Sequence, residues 1–208
     1  MRQDPLTLIG AGRLGTSLGM LLARADWPLV GLTSRTHPRA LEATLLLGCA
    51  AFPDPREPVS RSTFVLAAVP DPELPGLVAS LEGLLRPGTV LAHTGLADLS
   101  VRRAPLLLAL RPVRLVPEAD PGETGVFALC GPEEALVRGG RLVEALGARA
   151  LALPEAEWLR AVAASARARL GAREEAVALA RPLGLAEGDL PDRCEGEPLR
   201  DLERLSRR

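Results

Sequence analysis

An α/β fold, a doubly wound and mostly parallel sheet with a short C-terminal helical extension, is predicted by three features of this 208-residue sequence. Strand-like apolar runs alternate with helical patterns as far as about residue 153. A glycine triplet joins the first run to the first helix. The run Thr63 to Val69, TFVLAAV, is apolar throughout, as befits a central parallel strand covered on both faces. About seven or eight strands are expected over residues 1–153, which form one domain, with residues 154–208 as the extension.

Taken in order, Leu6, Leu8 and Ile9 read as a buried strand, and Leu14, Leu18, Leu21, Leu22 and Ala25 recur at helical spacing. Between them Gly10, Gly12 and Gly15 spell G-x-G-x-x-G. In a strand-to-helix turn the first glycine permits the bend, the second leaves room for a pyrophosphate against the backbone, and the third lets helix and strand close up. The first N–H groups of the helix and its dipole then face the anion. Glycine spacing alone is weak evidence in a chain with 20 glycines, but the apolar segment Leu29 to Thr33 completes a βαβ unit. Gly10, Ala11, Gly12, Arg13, Leu14 and Gly15 are therefore candidate dinucleotide contacts.

The second strand ends in GLTSRTHP. An acidic residue near this position would accept ribose hydroxyls and repel a 2′-phosphate; Thr33, Ser34, Arg35 and Thr36 stand there instead. Hydroxyls and a guanidinium suit phosphate oxygens, so NADP is favoured over NAD. The same residues serve an ordinary turn, with Thr36 as N-cap, Pro38 in the first helical turn and His37 exposed to solvent.

Pro38 to Leu47 reads as a helix ended by Gly48, followed by a strand around Cys49 to Phe52 and a proline-rich loop, Pro53 to Pro58. The apolar run from Thr63 stops at Pro70-Asp71-Pro72, so Val69, Pro70 and Asp71 lie at the carboxyl end of a strand, where ligands bind in open α/β sheets. Glu73 to Leu85 is the crossover helix and Gly88 to Ala92 the next strand, which opens into His93-Thr94-Gly95. His93 and Thr94 are the catalytic candidates, because a neutral imidazole there would hydrogen-bond a substrate or shuttle a proton. A strand-end histidine bonded to a carbonyl, or a loop that contacts cofactor without catalysis, fits the same residues.

Ala97 to Arg103 reads as a short helix, Leu106 to Leu110 and Val113 to Val116 as one or two strands broken by Arg111-Pro112, and Val126 to Cys130 as another strand. A helix over Pro132 to Leu146 and a last strand over Ala148 to Leu153 follow. Glu155 to Ala180 is helical by propensity. Its stripe of Trp158, Leu159, Val162, Ala163, Ala166 and Leu170 packs either on its own sheet or on a twin helix in a homodimer. Gly184 to Arg208 looks like a loosely ordered tail ending in a charged helical turn.

A net charge of −1 offers no footprint for nucleic acid. No apolar stretch reaches membrane-spanning length, and the first apolar run lacks the marks of a signal peptide. Cys49, Cys130 and Cys194 are widely spaced, which suits a reducing cytoplasm, no metal, two small buried residues and one tail thiol. All 25 basic residues are arginine, and lysine, tyrosine and asparagine are missing. Schiff-base chemistry, a P-loop lysine and a phenolic acid are thereby excluded. The scarcity of amide side chains suits either a heat-stable protein or a GC-rich genome.

GAGRLGTSLG, TSR, VLAAVPDPEL and VLAHTGL together resemble a branch of the Rossmann oxidoreductases related to pyrroline-5-carboxylate reductase and to the deazaflavin-dependent NADP oxidoreductases. The resemblance spans about residues 6 to 153, and His93-Thr94-Gly95 is close to the His-Thr/Ser-Ser-Gly loop of the former group. It implies an NADP cofactor and hydride transfer to or from a small imine or carbonyl compound, or a deazaflavin. The Tyr/Lys pair of short-chain dehydrogenases and the catalytic lysine of hydroxyacid dehydrogenases and ketopantoate reductases are absent. Two departures mark this chain. Arg111-Pro112 replaces a His-Pro, and Glu157-Trp158-Leu159-Arg160-Ala161 stands where a Tyr-His-Ala-Ala-like motif opens a longer helical domain. They motivate an alternative, a dinucleotide-binding module without chemistry that acts as a sensor or assembly subunit.

Overall fold

The computed structural model describes residues 3–96, 106–114, 125–169 and 171–191. Strands and helices alternate along it as β1 (Leu6–Ile9), α1 (Arg13–Arg24), β2 (Leu29–Thr33), α2 (His37–Leu47), β3 (Ala51–Phe52), α3 (Arg56–Ser60), β4 (Phe64–Ala67), α4 (Leu74–Leu81) and β5 (Val90–His93). Then come β6 (Leu106–Arg114), β7 (Gly125–Cys130), α5 (Glu133–Ala145), β8 (Ala148–Ala152), α6 (Glu155–Arg169) and α7 (Arg173–Ala180). The eight strands form one sheet in the order β3-β2-β1-β4-β5-β6-β7-β8, the doubly wound α/β arrangement expected. The chain divides into two compact units, residues 1–110 with 131–146, and residues 111–130 with 147–208.

In the first unit β1 pairs in parallel with β2 on one side and β4 on the other, and β4, β5 and β6 continue in parallel. β1 and β4 are buried at every residue, which explains why their sequences are continuous apolar runs. Val65, Ala67 and Leu91 pack with Val59 of α3 and Leu74, Val78 and Leu81 of α4. Leu18 and Leu22 of α1 are fully buried, and a side chain at Gly19 would press into Leu47 of α2, so the missing Cβ sets how closely these helices approach.

The amino ends of the strands are held by one side chain. Arg138 of α5, 12% exposed, pairs through Nη2 with Asp4 Oδ1 at 2.9 Å and donates from Nε to Asp4 Oδ2 at 3.0 Å. It also donates to the carbonyls of Thr63 and Gly88, the residues just before β4 and just before Thr89 and β5. Asp4 in turn accepts from Thr63 Oγ1 at 2.8 Å. One planar fork thus ties the starts of three strands.

In the second unit β7 and β8 run parallel, with Gly125 opposite Ala148 and Leu129 opposite Ala152. Trp158 of α6 is buried and donates from Nε1 to the Ala128 carbonyl at 3.2 Å. Ser165 Oγ donates to the Val113 carbonyl at 2.8 Å. Of the expected stripe, Trp158, Val162 and Ala166 are buried, Ala163 is partly buried and Leu159 is half exposed.

Several expectations are corrected. The loop expected over Pro53 to Pro58 gives way at Arg56 to α3, whose start is secured by Asp54 Oδ1 accepting from the Arg56 N–H at 2.7 Å. The helix expected to reach Leu85 stops at Leu81, because Glu82 is extended and Gly83 takes φ +83°. β6 is a single strand through Arg111-Pro112, since a proline removes one ladder donor without having to end a strand. The continuous helix expected over Glu155 to Ala180 is two. Gly171 at φ +84° closes α6, its N–H bonding the Ala168 carbonyl and the Ala172 N–H bonding that of Arg167, the paired bonds of a Schellman cap.

Residues 184–191 are not loose either. Leu185 and Leu190 are buried, and Arg173 donates to the carbonyls of Glu187 and Pro191. His37 is half-buried rather than exposed, with Nδ1 shielded from solvent. Cys49 and Cys130 are half-buried rather than fully buried. The short helix expected over Ala97 to Arg103, the positions of Leu115, Val116 and Leu170, and the tail from residue 192 with Cys194 lie outside the described residues.

Candidate functional site

Parallel register brings the candidate residues of the first unit to one rim of the sheet. Thr33, Ile9, Ala67, His93 and Ala109 are successive partners across β2, β1, β4, β5 and β6 and form one row. The ends of the first four of these strands, the loops that leave them and the first turn of α1 carry every site residue proposed from sequence. The sheet winds outward in opposite directions from β1 and β4, so the glycine turn sits at the switch point where ligands enter such sheets.

The turn is tightly built. The Gly10 N–H bonds the Thr33 carbonyl at 2.8 Å and the Ala68 N–H bonds the Ile9 carbonyl at 2.8 Å, which extends the ladder one step past the strands. Gly10 takes φ +112°, and a Cβ there would overlap the Ala68 carbonyl oxygen, with Val69 Cγ1 only 3.4 Å away. A Cβ on Gly15 would overlap the Gly10 carbonyl oxygen, so this glycine sets the approach of α1 to β1. Gly12 differs from both. It is exposed, and nothing lies within 4 Å of where its Cβ would stand. It is also the N-cap of α1, with no side chain capping that end and no acidic residue in the first turn. Ala11 and Leu14 are partly buried beside it, and Arg13 is exposed. An open backbone at the positive end of a 12-residue helix suits an anion.

On the β2 side Thr33 is buried at the strand end, Ser34 is partly buried, and Arg35 and Thr36 are exposed, with Thr36 as the N-cap of α2. The Arg35 guanidinium forms an ion pair with Glu73, which immediately precedes α4. Local sequence gives no sign of this contact. The pair links the loops after β2 and β4, the two strands that flank β1.

On the β4 side Val69 is partly buried, Pro70 is exposed, and Asp71 is partly buried with its carboxylate committed to the chain. Asp71 Oδ1 accepts from the Leu96 N–H at 2.8 Å and lies where a side chain on Gly95 would stand. Asp71 therefore ties the loop after β4 to the loop after β5. β5 ends at His93 and that second loop begins at Thr94; each is 4% exposed, and the Thr94 N–H bonds the Ala67 carbonyl at 3.1 Å. The two catalytic candidates thus form the floor of the rim rather than projecting from it.

Burial lifts the Cys49 thiol above its ordinary 9.0, partly offset by a backbone hydrogen bond. Burial, reinforced by the Glu155 carboxylate, lifts Cys130. Neither thiol belongs to the rim. Among the described residues no group of His, Cys, Asp and Glu is placed to hold a metal ion, and no helix is long and apolar enough to cross a membrane.

The model of the Rossmann-like domain family matches residues 2–107, which hold every site residue proposed from sequence. No curated protein matches the chain. Among solved structures, a Bacteroides fragilis protein assigned as an NADP oxidoreductase is similar at 21% identity and a TM-score of 0.71, over 91% of this chain and 74% of its own. A pyrroline-5-carboxylate reductase from Coxiella burnetii is 16% identical with a TM-score of 0.67, over 90% of this chain and 75% of its own. An imine reductase from a Pseudomonas species is 16% identical with a TM-score of 0.66, over 99% of this chain and 73% of its own. At these identities the likeness is one of fold.

Proposed function

This chain belongs to the Rossmann-like domain family, and from that premise we propose that it is an oxidoreductase that uses a nicotinamide dinucleotide, with NADP preferred, and acts on a small imine or carbonyl compound. The observation that carries the proposal is the open backbone at Gly12, capping α1 at the switch point of the sheet. These residues fit a pyrophosphate. The turn offers main-chain donors at a helix N-terminus, and the one motif glycine with free space around it is the one at the cap. Arg35, with Ser34 and Thr36 beside it, supplies donors for a 2′-phosphate.

A bound nicotinamide would supply the hydride. The chain's part is to hold the ring against the rim, to exclude water there, and to provide a proton from the His93 imidazole or the Thr94 hydroxyl. Exchange with a deazaflavin in place of a small substrate needs less acid–base help and suits a chain without lysine or tyrosine. A homodimer is proposed with it. Calorimetry with NADPH and NADH tests the cofactor, and NADPH oxidation across imines, keto acids and a deazaflavin tests the chemistry. Saturable binding with turnover of one substrate class is expected; absence of binding overturns the proposal.

A second reading, a dinucleotide-binding module without chemistry, is favoured by one observation: His93 and Thr94 are buried at 4% exposure. It predicts tight NADPH binding that His93→Ala leaves intact, with no turnover on the same panel.

A further inference from the structure

Resting on the dinucleotide reading above, we propose that Glu73 governs the choice between a 2′-phosphate and a bare ribose, by acting as an internal counter-ion that occupies Arg35. In Rossmann sheets the acidic residue that selects a ribose ordinarily sits at the end of the second strand. Here that position is filled by Thr33, Ser34 and Arg35, and a carboxylate, that of Glu73, arrives from the other side of β1, on the loop before α4. Thr33 and Ala67 both flank Ile9, so the two loops leave the sheet on either side of the glycine turn, and the Arg35–Glu73 pair joins them there.

The two cofactors meet this pair differently. A 2′-phosphate competes with Glu73 for the guanidinium, and holds its charge near that carboxylate. A ribose without phosphate leaves the ion pair intact and finds in Glu73 an acceptor for its hydroxyls. The pair is exchangeable because it is exposed, with 75% of the Arg35 and 38% of the Glu73 side-chain surface accessible. Exposed ion pairs are weak, and a phosphate dianion outcompetes a single carboxylate for a planar guanidinium. Glu73 thus moderates a preference that Arg35 creates, and the effect fades as salt screens both charges.

The experiment measures dissociation constants of NADPH and NADH by calorimetry for the full chain, Glu73→Gln, Arg35→Ala and the double variant, at low and high salt. Both positions are exposed, and thermal melts of each variant confirm folding. Glu73→Gln is expected to tighten NADPH about two- to fivefold at low salt, with NADH changed by less than about twofold. The gain is expected to vanish in the Arg35→Ala background and to shrink at high salt. Unchanged or weaker NADPH binding by Glu73→Gln overturns the proposal while leaving the dinucleotide reading in place. A gain that persists without Arg35 also overturns it, since the carboxylate would then act on the phosphate directly. If the unmodified chain binds neither nucleotide, the dinucleotide reading fails and this inference falls with it.

Discussion

Gly12→Asp should strengthen the fold and abolish cofactor binding. Gly12 has φ −79° and ψ 177°, the extended conformation of an N-cap, so an aspartate is accommodated without backbone strain. Nothing lies within 4 Å of the new Cβ, so it meets no steric opposition. The α1 N-terminus has neither a side-chain cap nor an acidic residue in its first turn, and a carboxylate there gains N–H bonds and the helix dipole. Together these contribute about 0.5–1 kcal/mol, which corresponds to a rise in Tm of roughly 1–4 °C for a chain of this size.

The same carboxylate occupies the place assigned to the pyrophosphate. At about 4 Å and an effective dielectric near 20, one unit of phosphate charge is repelled by about 4 kcal/mol, or about a thousandfold in affinity. Differential scanning fluorimetry and calorimetry with NADPH read the two effects separately. Gly15→Ala is the control. Its Cβ would overlap the Gly10 carbonyl oxygen, so it should lose about 1–3 kcal/mol of stability. A Gly12→Asp protein that melts lower than the parent, or binds NADPH as the parent does, refutes the assignment of this turn.

Three further outcomes follow from contacts described above. Arg138→Met leaves the Asp4 carboxylate and two strand-leading carbonyls without their shared donor and should lower unfolding free energy by about 3 kcal/mol in urea titrations. Asp71→Ala removes the acceptor of the Leu96 N–H, a charged hydrogen bond worth about 1.5–3 kcal/mol, so exchange of that amide should quicken at least tenfold in hydrogen-exchange measurements. Burial raises the Cys49 and Cys130 thiols above their ordinary range, so the folded state favours the protonated thiol. The stability this confers is full below the ordinary thiol range and is lost as pH rises through the raised values. Alkylation at pH 8, followed by mass spectrometry, should accordingly be slower at both sites in the native than in the denatured protein.

The parts of the fold legible in the sequence were those fixed by local rules. The glycine turn, the buried β4 run and the αL cap at Gly48 each follow from residues within one turn or strand. Gly171 carried the signal for the break between α6 and α7, but the alanine and arginine around it masked a glycine that ends a helix by adopting φ +84°. Proline misled in two directions. Around Pro55 and Pro58 it concealed α3, where a proline fits the start of a helix, and at Pro112 it suggested a break that β6 does not have.

The site shows the same division. The four rim loops could be named from the ends of the apolar runs, yet the contacts that couple them could not. Arg35 reaches a partner 38 positions on, and Asp71 one 25 positions on. Such pairs become visible only once strand order places β2 and β4 on either side of β1, and no periodicity in a single chain records that order. Arg138 is the extreme case, with Asp4 lying 134 positions away.

That clamp has a consequence for how the molecule tolerates change. Because β1, β4 and β5 are fastened at their starts by α5, a change in the loops at the opposite rim leaves that fastening in place. Grafting a different segment between Ala68 and Glu73 would retune what the protein accepts at the cost of one bond, that of Asp71 to the Leu96 N–H, while the Arg138 clamp endures.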